Sequence, residues 1–500
     1  MGDDLKTTII KLRDAKKAEN CTLTFGHFTT IHPGHIRYLK HAKTLRRNLY
    51  IAVQGDLSQD LPSSYHFTQK ERAESLQLLG IAEKIILLEA DEIEEAIKLI
   101  KPELLVIGDQ HRNLNSLEKV VNLNGGKLIL HAGDNISASV ELLTNNVRDL
   151  DKKRYEEFAK SCARQEIQYS DLIDAIENMR RARLAVIGDT IVDQFAACEA
   201  LGMSAEAPVI VVKELETKNF IGAAAVIAAH VKSIGADCKL ISVVGEDSAG
   251  EFVNSYLEKL KINNLLVTDQ SRPTSFKKRY VVESQKLFRV SRLVEHSIDT
   301  NTEDKIIAHI ENCAKSVDGL VISDFVYGVI TPRVLSMIKI VANKHKLMLF
   351  GDVQCSSQIG SILRFNDFTL LCPNEREARL ALRNKEDGLE SISYEIMEKT
   401  RCKKLVMKLG SAGLITYDKG EGTELISQHF PALSGNPVDV SGAGDSVLAV
   451  IATGLSSGLS LAKAAALACC AASIAVETMG NEPVGIDKLK KRLKEIFNKK

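Results

Sequence analysis

An acidic residue follows a glycine-rich loop near the carboxyl end of the chain, in Asp439-Val-Ser-Gly-Ala-Gly-Asp445. An apolar, helix-forming run comes next, so the loop is predicted to lead into a helix N-terminus. Gly442 and Gly444 permit a tight turn whose backbone N–H groups, with the helix dipole, would bind an anion such as phosphate. Asp445 would lie in the first helical turn, where a carboxylate can orient or deprotonate a hydroxyl group. The alternative is an ordinary capped helix.

Two histidines near the amino end have a spacing that suits phosphate binding, in His27-Phe-Thr-Thr-Ile-His-Pro-Gly-His35. The preceding run Cys21–Phe25 is β-prone and ends at Gly26, and the following run has helical periodicity. His32 and His35 are therefore predicted between a strand and a helix. There, two imidazoles can both donate hydrogen bonds to phosphate oxygens. The alternatives are a metal site or two structural histidines.

Length and composition limit which classes of protein and of binding partner are possible. The 500 residues exceed what one hydrophobic core usually supports, so two or three domains are expected. Lys plus Arg and Asp plus Glu both number 65, and this balance argues against nucleic acid or an anionic membrane as a partner. The 10 cysteines include no Cys-x-x-Cys pair. Without a signal peptide, they indicate buried free thiols in a cytoplasmic protein.

The elements that must position these residues fall into two blocks. Strand and helix patterns alternate over residues 1–147, which predicts a parallel sheet. Residues 148–182 are dense in charge and have apolar residues at helical spacing, which predicts a charged helical linker. A new buried strand then opens residues 183–500, so the predicted fold class is α/β with two domains.

The histidine motif resembles the nucleotidyltransferase superfamily, which includes cytidylyltransferases and heptose-phosphate adenylyltransferases. The resemblance implies a Rossmann-like domain in which both histidines stabilise the phosphate during attack on a nucleotide α-phosphate. It also implies nucleotide-binding roles for Phe25, Gly26, Ser137 and Ser139. Thr29 and Ile107 depart from the pattern, because they replace an Asp and a phosphate-handling Lys.

The glycine-rich loop resembles the signature of the ribokinase and phosphofructokinase-B family of sugar kinases, whose fold is an α/β sandwich with a small β lid. The resemblance makes Asp445 the catalytic base and the amides of Gly442, Ala443 and Gly444 the anion hole. It implies further site residues. These are Lys408 and Gly410 for the nucleotide, Asn374 and Glu377 for Mg²⁺ through water, and Asp189, Asp193, Gly222, Lys277, Arg279 and Asp324 for the sugar phosphate. Ala225 departs from the pattern, because heptose kinases have a sugar-binding Asn there.

Together the two blocks resemble the bifunctional heptose-phosphate kinases and heptose-1-phosphate adenylyltransferases, with the domain order reversed. The resemblance implies phosphorylation of a sugar phosphate at the anomeric hydroxyl, then nucleotidyl transfer to the sugar 1-phosphate to give an ADP-sugar. It implies Mg²⁺ and ATP, with CTP open for the transferase, and a homo-oligomer formed through the lid. Two alternatives remain. One is a cytidylyltransferase fused to a kinase for another sugar or polyol, and the other is a non-catalytic scaffold or sensor.

Overall fold

The computed structural model describes residues 7–28, 31, 33–46, 48–56, 67–89, 92–108, 114–131, 147–207, 209–283, 285–354, 360–419, 425–435 and 437–497. The chain divides into two units, Met1–Asn146 and Val147–Lys500. The predicted site residues His32, Ser137 and Ser139, and the departure at Thr29, lie outside the described residues.

A parallel six-stranded sheet forms the first unit, in the order β1-β4-β3-β2-β5-β6. Its strands are β1 (Thr8–Lys11), β2 (Cys21–Gly26), β3 (Asn48–Val53), β4 (Lys84–Leu87), β5 (Leu104–Gly108) and β6 (Lys127–His131). The described helices are α1 (Pro33–Leu45), α2 (Gln69–Leu78), α3 (Ile93–Ile100) and α4 (Leu114–Leu123). The strand order reverses beside β2, and ligands of such open sheets bind at the carboxyl ends of the strands at this reversal.

A nine-stranded sheet forms the centre of the second unit, in the order β11-β10-β7-β14-β15-β16-β17-β18-β19. Its strands are β7 (Arg183–Gly188), β10 (Asp237–Val244), β11 (Asn263–Thr268), β14 (Gly319–Asp324), β15 (Met348–Val353), β16 (Leu370–Leu371), β17 (Lys404–Lys408), β18 (Leu414–Lys419) and β19 (Leu425–Phe430). Pairing is parallel up to β17 and antiparallel in the final hairpin.

A separate four-stranded sheet, called the lid below, has the order β13-β12-β8-β9. Its strands are β8 (Thr190–Met203), β9 (Ile210–Ala223), β12 (Ser275–Val282) and β13 (Gln285–Arg292). The inner ends of β8 and β9 are buried, whereas their outer halves are largely exposed. The predicted α/β fold, with a sandwich and a small β lid, is confirmed.

Helices cover both faces of the large sheet and form two apolar cores. They are α5 (Val147–Arg164), α6 (Tyr169–Met179), α7 (Ala224–Ser233), α8 (Ser248–Lys259), α9 (Thr300–Ala314), α10 (Pro332–His345), α11 (Glu375–Leu382), α12 (Leu389–Thr400), α13 (Ala443–Ser456), α14 (Leu461–Ala475) and α15 (Ile486–Phe497). Among the described residues, no helix has the length and apolar character needed to cross a membrane.

The segment predicted as a linker, 148–182, consists mainly of α5 and α6. Phe158, Leu172 and Ile176 on these helices are fully buried in a core shared with α13 and α14. Because burial of each such side chain stabilises a fold by about 1.5–3 kcal/mol, the two helices are part of the second unit rather than a free connection. All nine cysteines within the described ranges are buried free thiols, as the composition predicted.

Candidate active sites

The glycine-rich loop and Asp445 form the start of α13. Gly442 precedes the helix with φ of 75°, in the left-handed region. A side chain there would also collide with Asn481, because an added Cβ would lie 2.4 Å from its Oδ1. Asp445 is buried in the first turn of the helix. Among the described residues its Oδ1 has no hydrogen-bond partner, although an unsatisfied buried carboxylate oxygen is costly.

The surroundings of Asp445 make it a weak acid. Burial, together with the negative charges of Asp352 and Asp193, raises the pKa of Asp445 to about 7, although the positive charges of Lys408 and Lys277 oppose the shift. A carboxylate with a pKa near neutrality exchanges protons readily at cellular pH, which suits a general base.

Lys408 and Asp352 form a buried ion pair beside this loop. Lys408 ends β17 and its Nζ donates to Asp352 Oδ2 on β15 at 2.6 Å. Burial alone would lower the pKa of Lys408, but the charges of Asp352 and Glu377 raise it above its usual value. Lys408 Nζ lies 3.4 Å from the position of an added Cβ on Gly444, so the ammonium adjoins the predicted anion hole.

The two residues predicted to organise Mg²⁺ bond to each other. Asn374 caps α11: its Oδ1 accepts from Glu377 N at 2.8 Å, and Glu377 Oε2 accepts from Asn374 N at 2.8 Å. This capping box explains their spacing without any metal. Among the described residues, no cluster of three or more His, Cys, Asp or Glu side chains is arranged to hold a metal ion directly. Gly410 lies in the turn after β17 with φ of 60°.

Asp193, a predicted sugar-binding acid, lies on β8 of the lid. Arg279 on β12 donates to Asp193 Oδ1, and Asn481 Nδ2 donates to Oδ2 at 3.2 Å. Gly222 leaves room for this carboxylate, because an added Cβ would lie 2.9 Å from Asp193 Oδ2. Lys277 is buried with its ammonium 5.2 Å from the centre of the Phe325 ring. Ala225 is buried in the core, which is consistent with an apolar residue there.

Asp189 and Asp324 bind the protein itself, which differs from the sugar-binding role predicted for them. Both are almost completely buried. Asp189 Oδ2 accepts from Phe325 N at 2.8 Å and Oδ1 from Val329 N at 3.4 Å, so this carboxylate holds the loop after β14. Asp324 accepts from Val326 N and from Arg364, both at 2.8 Å. Burial, with the charge of Asp324, raises the pKa of Asp189 to about 7.

A cavity of about 500 Å³ lies beside Asp324 and Arg364, with Lys339 also in its lining. Neither Asp445 nor Asp193 lines it. This cavity is therefore separate from the cluster around the glycine-rich loop.

In the first unit, β2 leads through Gly26 toward α1, which begins at Pro33. His35 lies in the first turn of α1, and its ring contacts Phe28 edge-on with centroids 5.6 Å apart. Arg72 is buried and donates to His27 O, to Gln54 O and to Asp56 Oδ1, so it ties this connection to the end of β3. The side chains of Phe25 and Ile107 are buried in the core, so Phe25 can face a nucleotide only through its backbone.

Sequence reasoning missed Asp352, Asn481 and the pair formed by Lys286 and Asp439. Asp352 had a local signal, because it follows a glycine at the end of a buried strand. Lys286 Nζ donates to Asp439 Oδ1 at 2.7 Å across a long separation in the chain. Such contacts have no local pattern in the sequence.

Comparison with family models defines the class of protein. The model of pfkB family carbohydrate kinases matches residues 181–487, so this chain belongs to that family. A cytidylyltransferase-like model matches residues 23–306. The two ranges overlap over 181–306, and the structure places those residues in the second unit, so we assign the transferase match to the first unit. The chain is a bifunctional enzyme with a carbohydrate kinase part and a nucleotidyltransferase part.

Two individual relatives and one solved structure are similar to this chain. Bifunctional protein HldE of Campylobacter jejuni serotype O:6 is 33% identical over 327 residues, which cover 65% of this chain and 67% of that protein. HldE of Pelobacter propionicus is 30% identical over 317 residues, covering 62% of this chain and 63% of that protein. Phosphofructokinase-2 of Escherichia coli, solved with substrates and products, covers 63% of this chain and 99% of its own at 16% identity and a TM-score of 0.52. That structure supports the kinase fold alone.

Proposed function

We propose that the second unit phosphorylates the anomeric hydroxyl of a sugar phosphate, such as a heptose 7-phosphate, with ATP as the donor. The observation that carries this is the buried carboxylate of Asp445 at the start of α13, whose Oδ1 accepts no hydrogen bond from the part of the chain that the structure describes. Asp445 takes the hydroxyl proton, the sugar oxygen attacks the γ-phosphorus, and ADP leaves. The amides of Gly442, Ala443 and Gly444 and the dipole of α13 stabilise the charge that develops on the transferred group.

The residues around Asp445 fit a magnesium ion bound together with ATP. Asp352 Oδ1 is buried and has no hydrogen-bond partner among the described residues, and carboxylate oxygens suit this hard cation. Asn374 and Glu377 are occupied with each other, so they would reach the ion through water. When bound, Mg²⁺ would neutralise negative charge on the ATP phosphates. Lys408 places a further positive charge beside the glycine-rich loop.

Lys277 is the cation best placed for the phosphate that the substrate already carries. Alternation along β12 directs Lys277 and Arg279 to one face and Lys278 to the other, where it pairs with Glu214 at 2.6 Å. Arg279 is occupied by Asp193. Lys277 Nζ lies over the rings of Phe325 and Tyr327, and no carboxylate among the described residues forms an ion pair with it, so its positive charge can bind a phosphate.

For the first unit we propose nucleotidyl transfer from ATP, or alternatively CTP, to a sugar 1-phosphate. His35 lies at the start of α1, near the carboxyl end of β2 where the strand order reverses. His32, Ser137 and Ser139 complete the proposed phosphate contacts. The product is an ADP-sugar when ATP is the donor.

The product of the kinase reaction and the acceptor of the transferase reaction differ by one phosphate group. Phosphorylation of a sugar 7-phosphate gives a bisphosphate, whereas the transferase acceptor carries phosphate only at the anomeric carbon, so a separate phosphatase reaction must lie between them. Each activity is therefore tested with its own substrate. Purified full-length protein is incubated with Mg²⁺, ATP or CTP, and panels of sugar phosphates and sugar 1-phosphates, and the products are identified by mass spectrometry.

We expect a bisphosphate from the first panel and a nucleotide sugar from the second. Turnover only of another sugar or polyol, with CTP as the nucleotide, would support the alternative cytidylyltransferase fusion. Nucleotide binding without turnover on either panel would support the scaffold or sensor alternative and refute both proposed activities.

We also propose that the enzyme forms a homo-oligomer through the lid. The lid exposes large apolar side chains on three of its four strands: Leu201, Met203, Ile210, Leu215, Phe288 and Val290. Exposed apolar side chains in such number commonly mark a protein interface. Light scattering should show more than one copy per particle, and Leu215→Glu with Val290→Glu should give a monomer. A monomeric wild-type protein would refute this proposal.

A further inference from the structure

The turn after α14, at Gly480 and Asn481, contacts two parts of the candidate kinase site that lie far apart in the chain: the inner ends of β8 and β9, and the glycine-rich loop. Gly480 has φ of 83°, and an added Cβ would lie 2.4 Å from the Phe220 ring, so only glycine fits. This places the next residue, Asn481, in a buried position between β8, β9 and the glycine-rich loop. No catalytic role for this turn follows from its sequence.

The side-chain amide of Asn481 points its two ends at different parts of the site. Nδ2 donates to Asp193 Oδ2 at 3.2 Å and to Ile221 O at 3.3 Å. Oδ1 points toward Gly442, 2.4 Å from the position of an added Cβ there. The opposite orientation of the amide would place Oδ1 against two acceptors, so the hydrogen bonds determine which end faces Asp193.

The same turn is hydrogen-bonded to the first residue of the glycine-rich loop motif, Asp439. Gly480 N donates to Asp439 Oδ2 at 3.3 Å, and Asp439 Oδ1 accepts from Ser441 N at 3.0 Å. Lys286 at the start of β13 donates to the same carboxylate. A continuous set of contacts therefore runs from Asp193 through the turn to the glycine-rich loop and the lid.

We propose that Asn481 is a positioning residue that couples sugar binding to the geometry of the anion-binding loop. It acts through Asp193 on one side and Gly442 on the other. A sugar hydroxyl that bonds to Asp193 fixes the carboxylate, the carboxylate fixes the amide of Asn481, and the amide restricts the loop that receives the ATP phosphates. Sugar binding should therefore strengthen ATP binding, and by linkage ATP should strengthen sugar binding to the same degree.

This inference rests on the proposed kinase function, and steady-state kinetics of the full-length enzyme test it. Initial rates of sugar phosphorylation are measured over a grid of ATP and sugar phosphate concentrations. The ratio of the ATP dissociation constant without sugar to the ATP KM at saturating sugar gives the coupling factor. Because phosphorylated sugar is the product detected, ATP bound at the first unit does not contribute.

In the wild type we expect a coupling factor between about 5 and 150, the usual range for coupled sites. Asn481→Ala should reduce it to about 1. Asn481→Asp keeps the shape of the side chain but places a carboxylate beside Asp193, so it should raise the sugar KM by about tenfold or more, as expected when a hydrogen bond to a charged group is lost. It should leave the ATP constant measured without sugar near the wild-type value.

The neighbouring variant Glu482→Gln is the matched control, because it removes an exposed ion pair with Lys218 in the same turn without touching Asp193 or Gly442. Its coupling factor should equal that of the wild type. The inference is overturned by a wild-type factor near 1, by an unchanged factor in Asn481→Ala, or by an equal loss in Glu482→Gln. If the alanine variant does not fold, an unchanged sugar KM in Asn481→Asp overturns it. Full phosphorylation by Asp445→Asn would instead refute the proposed kinase site.

Discussion

Replacing Asp445 by asparagine should abolish phosphoryl transfer and at the same time stabilise the second unit. The variant keeps the size of the side chain but cannot accept the hydroxyl proton, and general base catalysis contributes about a hundredfold to ten-thousandfold. Stabilisation is expected because the folded state holds this carboxylate in a buried position among other acids.

The size of this stabilisation and its dependence on pH follow from the pKa of Asp445, which rises from 3.8 in an unfolded chain to about 7 in the folded protein. Folded protein binds this proton more tightly than unfolded protein, so stability falls as pH rises from about 4 to about 7 and stays low above that. As upper bounds, the raised pKa of Asp445 lowers the free energy of unfolding by about 4 kcal/mol at pH 8 and by about 2 kcal/mol at pH 5.5. With an unfolding entropy of about 2.1 cal/mol/K for each of roughly 350 residues, Asp445→Asn should raise Tm by up to about 5 °C at pH 8 and about 3 °C at pH 5.5.

Thermal unfolding of the wild type and of Asp445→Asn at pH 8 and at pH 5.5 measures this difference. Because the chain has no Trp, unfolding is followed by a method other than tryptophan fluorescence. Asp189 also has a raised pKa but is present in both proteins, so the comparison isolates Asp445. Asp174→Asn, an exposed substitution in the same unit, should leave Tm unchanged. A Tm of Asp445→Asn at or below the wild-type value at pH 8, or a gain that does not depend on pH, would refute the reasoning.

Four further predictions concern activity and domain structure. The kinase rate at saturating substrates should fall below about pH 7 as Asp445 becomes protonated, and a rate–pH profile that is flat between pH 5.5 and 8 would contradict its role as the base. Lys277→Met should raise KM for a phosphorylated sugar by about tenfold or more, as expected for loss of a charged hydrogen bond, and should leave the KM of a neutral sugar unchanged; equal effects on both would show that Lys277 does not read the phosphate. His35→Ala should abolish nucleotidyl transfer and spare phosphorylation, and Asp445→Asn should do the reverse, so loss of both activities in either variant would exclude independent sites. Limited proteolysis should separate the units before Val147 rather than within α5 or α6, because those helices are packed in the second core, and a single resistant core spanning Ile129 to Ile227 would count against two units.

Much of the fold was predictable because its signals are local. Strand and helix periodicities predicted an α/β protein with two blocks, and the structure divides between Asn146 and Val147. The density of charged residues in the segment 148–182 predicts a helical linker. Only the packing of Phe158 and Leu172 against α13 and α14 showed that it belongs to the second core.

The sequence by itself determined those parts of the site whose geometry depends on neighbouring residues. Gly442, the start of α13 and Asp445 lie within one short stretch, so a left-handed glycine and a helix N-terminus place the carboxylate beside the amides proposed to bind an anion. The tertiary structure decided everything that depends on partners from distant segments. It turned Asp189 inward to hold a loop, paired Lys408 with Asp352, and placed Asn481 between Asp193 and Gly442. The physical reason is that side-chain type and local periodicity specify which groups a residue can bind, whereas strand order and packing specify which of those groups come within reach.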